Sequence, residues 1–147
     1  MNRTALARAV VVVGLTVLVD QATKALAVAS FDRGEEVNVF LALDLTYVRN
    51  EGVAFGAFSG GGPLLVIVIA LALGGLVTYF VLNSDVPLLW LPVGMILGGA
   101  LGNLADRARE GAVIDFIDPV AWPAFNLADA AIVIGVLGLL YIAEARR

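Results

Sequence analysis

The sequence contains no cysteine and no histidine, and Lys24 is its only lysine. The absence of cysteine excludes disulfides and thiolate nucleophiles. The absence of histidine excludes histidine-based triads and the commonest zinc ligands. A basic stripe of the kind that binds nucleic acid is also missing, so nucleic acid is not an expected partner. Any catalysis must therefore depend on carboxylates, hydroxyls, the single lysine or tyrosine, and no metal or cofactor is expected.

Charge is absent from two long stretches, between Glu51 and Asp85 and between Asp85 and Asp106. Each stretch is long enough for a helix of about 20 residues that spans a bilayer. Hydrophobic residues make up 61% of the 147 residues, and the mean hydropathy is +0.96. These values lie above those of soluble proteins. The length suits one domain, so we predict a single polytopic membrane domain over residues 1–147.

Four apolar segments predict an all-α membrane protein with four transmembrane helices, at roughly residues 5–29, 63–82, 88–107 and 127–143. Ala27-Val28-Ala29 resembles a cleavage site, so the first segment could also be a signal peptide. Asp20 and Lys24 interrupt the path to that site and favour a spanning helix, in which the two side chains can pair at i,i+4 spacing. Pro63, after a glycine-rich break, can open the second helix.

The third helix carries a stripe of small residues, Gly94, Gly98 and Gly102, at every fourth position. Such a stripe lets another helix approach closely. A groove that accepts an apolar segment or acyl chains is the alternative interpretation. The sequence does not decide between the two.

Residues 31–59 differ from the apolar segments, because Val37, Val39 and Leu41 begin a partial alternation of apolar residues. Alternation predicts a strand, or two strands with a bend. An open sheet edge inside lipid would leave backbone groups unsatisfied, so we expect a small β-rich platform on the extracytoplasmic surface between the first two helices. A second outer loop is expected from Ala108 to Phe125, with Trp122 as an interface anchor.

Four spans place both termini on one side of the membrane, and Arg3, Arg8, Arg146 and Arg147 indicate the cytoplasm. With this topology, the polar residues of the helix ends and outer loops gather near the outer face. Chance would distribute them over both faces. These residues are Asp20, Lys24, Asn50, Asn103, Asp106, Arg107, Asp115, Asn126 and Asp129.

Several of these residues have a purely structural interpretation. Asn126 and Asp129 have the spacing of a helix capping box, which is as good an explanation as a functional one. Asp106 and Arg107 could form an interfacial salt bridge. Asp115 is harder to explain structurally, because it lies in the apolar segment AVIDFI with no cation beside it.

Two carboxylates that share one proton can hydrolyse a peptide without histidine, cysteine or a metal. Asp129 lies in the first turn of a helix, where the dipole favours the anion. Asp115 lies among apolar residues, where desolvation favours the neutral acid. We therefore predict that Asp129 is the base and Asp115 carries the proton.

Five blocks of the sequence, DQATK, NEGVAFG, GGALGNLADR, VIDFI and FNLADA, resemble the lipoprotein signal peptidases, the bacterial signal peptidase II family. They occur in that family's order and cover nearly the whole chain. Ala130 departs from the pattern, because a serine often follows the second aspartate. The resemblance implies an aspartyl endopeptidase of the bacterial cytoplasmic (inner) membrane. Such an enzyme removes the signal peptide of diacylglyceryl-modified prolipoproteins by cutting before the lipidated cysteine.

The resemblance also implies roles for individual residues. Asp115 and Asp129 would be the catalytic pair. Membrane lipids and the lipid-modified precursor would be the partners, the enzyme would be a monomer, and peptide antibiotics such as globomycin would be inhibitors. Substrate-binding or supporting roles would fall to Asn50, Gly52, Ala54, Phe55, Asn103, Arg107, Asn126, Asp20, Lys24 and Asp106.

Other functions fit the sequence less well. A proton-coupled carrier or a channel would have polar residues throughout the membrane depth, but here they gather at one side. A non-catalytic membrane subunit gives no reason for both Asp115 and Asp129. A Ser–Lys peptidase would need a lysine close to Ser59 or Ser84, and neither serine has one nearby in sequence.

Overall fold

The computed structural model of the protein describes residues 2–51 and 63–147. The four helices predicted from the apolar segments are present within these ranges, together with three strands. The helices are α1 (Arg3–Ser30), α2 (Pro63–Leu82), α3 (Trp90–Glu110) and α4 (Leu127–Glu144), and the strands are β1 (Glu36–Phe40), β2 (Leu43–Asn50) and β3 (Val113–Pro119).

The three strands form one antiparallel sheet in the order β1-β2-β3. The two strands between α1 and α2 agree with the prediction of β structure in this part of the chain. The prediction of a plain loop from Ala108 to Phe125 is wrong, because this segment contains β3, the third strand of the sheet. Alternation did not reveal β3, since its first four residues, Val113 to Phe116, are all buried. A strand buried on both faces lacks the period-2 pattern that identifies a half-exposed strand.

Helix α3 lies between α1 and α4, and its glycines make this position possible. A Cβ on Gly94 or Gly98 would fall within 3.0 Å of α1 atoms, and one on Gly99 would meet the carbonyl oxygen of Ala128 in α4. Helix packing is therefore the correct interpretation of the glycine stripe. The alternative, an open groove, is wrong because α1 covers the stripe.

We expect Gly98→Ala to lower the unfolding midpoint of the purified protein in detergent. The added methyl group would lie 2.6 Å from the Cβ of Thr16, and overpacking of this kind costs about 1–3 kcal/mol. Gly14→Ala is the matched control, because no atom lies within 4 Å of its added Cβ. Equal midpoints for the two variants would contradict the packing described here.

The outer surfaces of α1 and α4 are apolar. Both helices are long and apolar enough to cross a membrane, with mean hydropathies of 1.7 and 2.0. Large apolar side chains point outward from them, among them Leu18 and Leu26 in α1 and Leu137 and Leu140 in α4. Exposed apolar surface of this extent on a helical protein is typical of contact with lipid.

The two termini lie at the same end of the helical layer. The backbone N–H of Asn2 donates to the Ser84 hydroxyl at 2.9 Å, which places the start of α1 beside the α2–α3 connection. Arg146, after α4, lines a cavity with Asn83 and Asp85 of the same connection. The sheet and the polar ends of α1, α3 and α4 lie at the opposite end.

Candidate active site

The chain turns sharply from α3 into β3, and this turn brings Asp115 into the interior. Gly111 caps α3 in the left-handed conformation, with φ of 72°, which glycine adopts without strain. Strand β3 begins two residues later and pairs with β2, with Asp115 opposite Val48. The Asp115 side chain is consequently 2% exposed.

Asp129 is held by the capping box at the start of α4. The Asn126 Oδ1 accepts from the Asp129 backbone N–H at 2.9 Å, and the Asp129 Oδ2 accepts from the Asn126 backbone N–H at 3.4 Å. The structural interpretation of this pair is therefore correct. It does not compete with a functional one, because the same cap fixes where the Asp129 carboxylate points.

Asn126 joins the two aspartates. Its side chain is fully buried, and its Nδ2 donates to the Asp115 Oδ1 at 2.7 Å while its Oδ1 caps the helix at Asp129. The same Nδ2 also lies 3.2 Å from the carbonyl of Ile114 and 3.2 Å from the Oδ1 of Asn103. One amide thus contacts residues of β3, α3 and α4.

Two further amides contact the carboxylates. Asn103 donates from Nδ2 to the Asp129 Oδ1 at 2.8 Å, and Asn50 donates from Nδ2 to the Asp115 Oδ2 at 2.9 Å. The structure therefore brings together residues 50, 103, 115, 126 and 129, which the sequence analysis assigned to one site.

The pKa of Asp115 is raised from 3.8 to about 6. Burial is the largest cause, and the negative charge of Asp129 raises it further. The amides of Asn50 and Asn126 and the charge of Lys24 oppose the rise. Desolvation outweighs these donors because it penalises the carboxylate form of a group that has little access to water.

A buried ion cluster lies behind the amides. Lys24 contacts Asp20 at 2.9 Å and Asp106 at 2.7 Å, so the predicted Asp20–Lys24 pair is present. The salt bridge between Asp106 and Arg107 that the sequence allowed does not form. Asp106 instead pairs with Lys24 and, at 3.6 Å, with Arg109. The charge next to Asp106 in the sequence did not indicate its main partner, because the Asp106 side chain faces α1.

Gln21 is a member of this cluster that the sequence analysis missed. Its Nε2 lies 2.9 Å from the Asp106 Oδ1, 3.1 Å from the Asp20 Oδ2 and 3.2 Å from the carbonyl of Gly102. The available signal was its position directly after Asp20 on a helix expected to contain an ion pair.

The remaining predicted site residues are placed differently. Arg107 is half-buried, and its Nη1 lies 3.5 Å from the carbonyl oxygen of Asn103 in its own helix. Gly52, Ala54 and Phe55 lie outside the described residues.

An apolar cavity of about 360 Å³ opens beside Asp129. Trp122, which was predicted to be an interface anchor, is 71% exposed at this cavity. The other lining residues are Phe125, Ala130, Val133 and Ile134. Asp129 is thus next to a surface that suits an apolar ligand. Within residues 2–51 and 63–147, no group of three or more carboxylates is arranged to hold a metal ion.

Comparison with known proteins gives a consistent result. The family model described as "Signal peptidase (SPase) II" matches residues 12–144. The lipoprotein signal peptidase of Pelotomaculum thermopropionicum is 44% identical over 133 residues, which cover 89% of this chain and 88% of the relative. That of Geobacter sulfurreducens is 44% identical and covers 93% and 92%.

Two solved structures of bacterial membrane enzymes, determined by the in meso method at 2.3 Å and 1.9 Å resolution, have the same fold. The first superimposes with a TM-score of 0.84 at 31% identity and covers 94% of this chain and 87% of its own. The second gives 0.82 at 32% identity and covers 92% and 91%.

Proposed function

Because this chain belongs to the signal peptidase II family of lipoprotein-processing membrane proteases, we propose that it cleaves peptides with the carboxylates of Asp115 and Asp129. The observation that carries this proposal is the Asn126 side chain, which donates to the Asp115 carboxylate and accepts from the backbone N–H of Asp129. The negative charge of Asp129 raises the pKa of Asp115, because neighbouring carboxyl groups share a proton more readily than they carry two charges.

In the proposed reaction, Asp129 acts as the base and Asp115 as the acid. Asp129 removes one proton from a water molecule while the water oxygen bonds to the scissile carbonyl carbon. Asp115 donates its proton to the carbonyl oxygen. When the C–N bond then breaks, the leaving nitrogen takes the proton held by Asp129, and the hydroxyl formed from the carbonyl oxygen returns its proton to Asp115, which restores both carboxyl groups. The buried position of Asp115, with its raised pKa, supports its role as the acid.

The substrate we propose is a diacylglyceryl-modified prolipoprotein, which is cut just before its lipidated cysteine. The apolar cavity beside Asp129 supports a lipid-bearing substrate. Backbone binding would fall to Arg107 and the amides of Asn50 and Asn103, since backbone contacts suit an enzyme that accepts many signal peptides. The outer-loop residues Gly52, Ala54 and Phe55 would close over the substrate.

We also propose the topology given by the sequence: one domain, four membrane spans and both termini in the bacterial cytoplasm. The location of the termini opposite the polar site supports an active site near the outer face. The enzyme would act as a monomer within the lipids of the inner membrane, without a cofactor. Globomycin and related peptide antibiotics would inhibit it.

Purified protein in liposomes should cleave a diacylglyceryl-modified precursor and leave the same unmodified precursor intact. Mass spectrometry of the products would locate the cut. Release of the mature lipoprotein with the modified cysteine at its N-terminus is the expected result. Cleavage elsewhere, or equal cleavage of both precursors, would overturn the substrate assignment.

The pH dependence of kcat/KM should follow the protonation of Asp115. Only its protonated form can donate, so kcat/KM should fall as the pH rises through about 6. Asn50→Ala should move this decline to higher pH, because it removes a donor that lowers the pKa of Asp115. Asn38→Ala, which removes an exposed amide from β1, is the control. If the decline stayed in place in Asn50→Ala, Asp115 would not be the titrating acid.

A further inference from the structure

The ammonium group of Lys24 has three side-chain partners, although one carboxylate would be enough to balance its charge. Its side chain is 2% exposed, and Asp20 and Asp106 already supply two carboxylates to the one cation. The third contact is a hydrogen bond from Nζ to the Asn103 Oδ1 at 2.9 Å. This bond leads towards the aspartate pair, because Asn103 also contacts Asp129.

The chemistry of an ammonium group fixes the orientation of the Asn103 amide. An ammonium donates hydrogen bonds and accepts none, so the amide atom that faces Lys24 must be the oxygen. The same oxygen accepts from the Asn126 Nδ2 at 3.2 Å. The Asn103 nitrogen is then left to donate to the Asp129 Oδ1 at 2.8 Å. A rotated amide would instead direct its N–H groups at the ammonium and its oxygen at the carboxylate.

We propose that Lys24 is a positioning residue that holds Asp129 ready to act as the base. Through Asn103 it keeps an N–H donor directed at the side-chain oxygen of Asp129. Because Asn126 also donates to the Asn103 oxygen, the same contact fixes the amide that reaches Asp115. This inference rests on the proposed function.

A purely structural role is the competing explanation. Asp20 accepts from the backbone N–H of Ala128 at 3.0 Å, and Asp106 accepts from that of Ile114 at 3.3 Å. Removal of Lys24 alone would leave both buried carboxylates without this cation, which can prevent folding. The test therefore needs a variant in which charge is removed in a balanced way.

The double variant Asp20→Asn/Lys24→Met removes one negative and one positive charge. The new amide keeps an oxygen for the Ala128 N–H, and Asp106 keeps Gln21 and Arg109 as partners. We expect folded protein with KM little changed and kcat lowered roughly 10²-fold, the size of loss that a misplaced catalytic group causes. Glu144→Gln/Arg147→Met, which removes an exposed pair at the opposite end, should keep the wild-type kcat.

The pH profile provides a second readout, because the charge of Lys24 also acts on Asp115. The groups that act on Asp115 are Asn50 from β2, Lys24 from α1, and Asn126 and Asp129 from the start of α4. Loss of the Lys24 cation raises the pKa of Asp115, so the decline of kcat/KM should move to higher pH in the double variant. A folded double variant with the wild-type kcat would overturn the proposal, wherever the decline lies.

Chemical rescue separates the charge of Lys24 from its bulk. The chain has no cysteine, so Asp20→Asn/Lys24→Cys would carry a unique thiol. Lys24 lines a cavity of about 390 Å³ with Ala25 and Val28, which gives a reagent access. Aminoethyl methanethiosulfonate, which installs an ammonium, should restore most of kcat, and the neutral ethyl reagent should not. Equal rescue by both reagents would refute a role for the charge.

Failure of this inference is distinguishable from failure of the proposed function. If Asp115→Asn and Asp129→Asn both keep turnover, the aspartate pair itself is wrong. If they lose turnover while the double variant keeps it, only the role of Lys24 is wrong.

Discussion

Asp115→Asn and Asp129→Asn should each lower kcat for cleavage of a lipid-modified precursor by about 10²–10⁴-fold or more. An asparagine at position 129 cannot take the proton of the attacking water. At position 115 it cannot donate a proton to the carbonyl oxygen. Both variants should still fold, because asparagine has the size of aspartate and its one oxygen can accept one of the two hydrogen bonds described for each carboxylate. Single-turnover cleavage of purified protein would measure the effect.

Asp118→Asn is the matched control for this experiment. Asp118 lies on the same strand as Asp115, pairs across the sheet with Asp44 and is partly exposed. We expect wild-type kcat and KM from it. Turnover that survives in both the Asp115 and the Asp129 variants would refute the aspartate mechanism, whatever the control shows.

Asn126→Ser should separate the two functions of the residue that joins the aspartates. Serine is as good a helix N-cap as asparagine, but its side chain is too short to donate to Asp115 across the present 2.7 Å contact. We expect a loss of kcat of roughly 10²-fold, comparable to the removal of one preorganised donor. Measurement of kcat for the purified variant would test this.

Asn126→Ala removes the cap as well as the donor. It should therefore be about 1 kcal/mol less stable than Asn126→Ser, with a similar kcat. Unfolding midpoints in detergent would report the difference. A serine variant with wild-type kcat would mean that the amide serves only as a cap.

Much of the site was predictable because its signals are local. The capping box at Asn126 and Asp129 is a three-residue spacing, and the Asp20–Lys24 pair is an i,i+4 spacing. Such spacings fix geometry as soon as a helix forms. The apolar neighbours of Asp115 correctly indicated its burial.

Contacts between segments that are far apart in the chain were harder to predict from the sequence. Strand β3 exists because it pairs with β2, and the pair Asn50–Asp115 spans 65 positions. Spacing could not indicate that Asp106 forms an ion pair with Lys24 rather than with Arg107, since this pairing depends on how α3 is rotated against α1. The glycines of α3 set this rotation by the contacts they permit.

The sequence by itself determined the four helices and the family and predicted the two candidate aspartates, because these follow from hydrophobicity, helical spacing and motifs. Only the tertiary structure decided the third strand and the path of hydrogen bonds from Lys24 through Asn103 to Asp129. The bond from Lys24 to Asn103 spans 79 positions. A hydrogen bond between residues so far apart in the chain depends on the packing of whole helices, which no local pattern specifies.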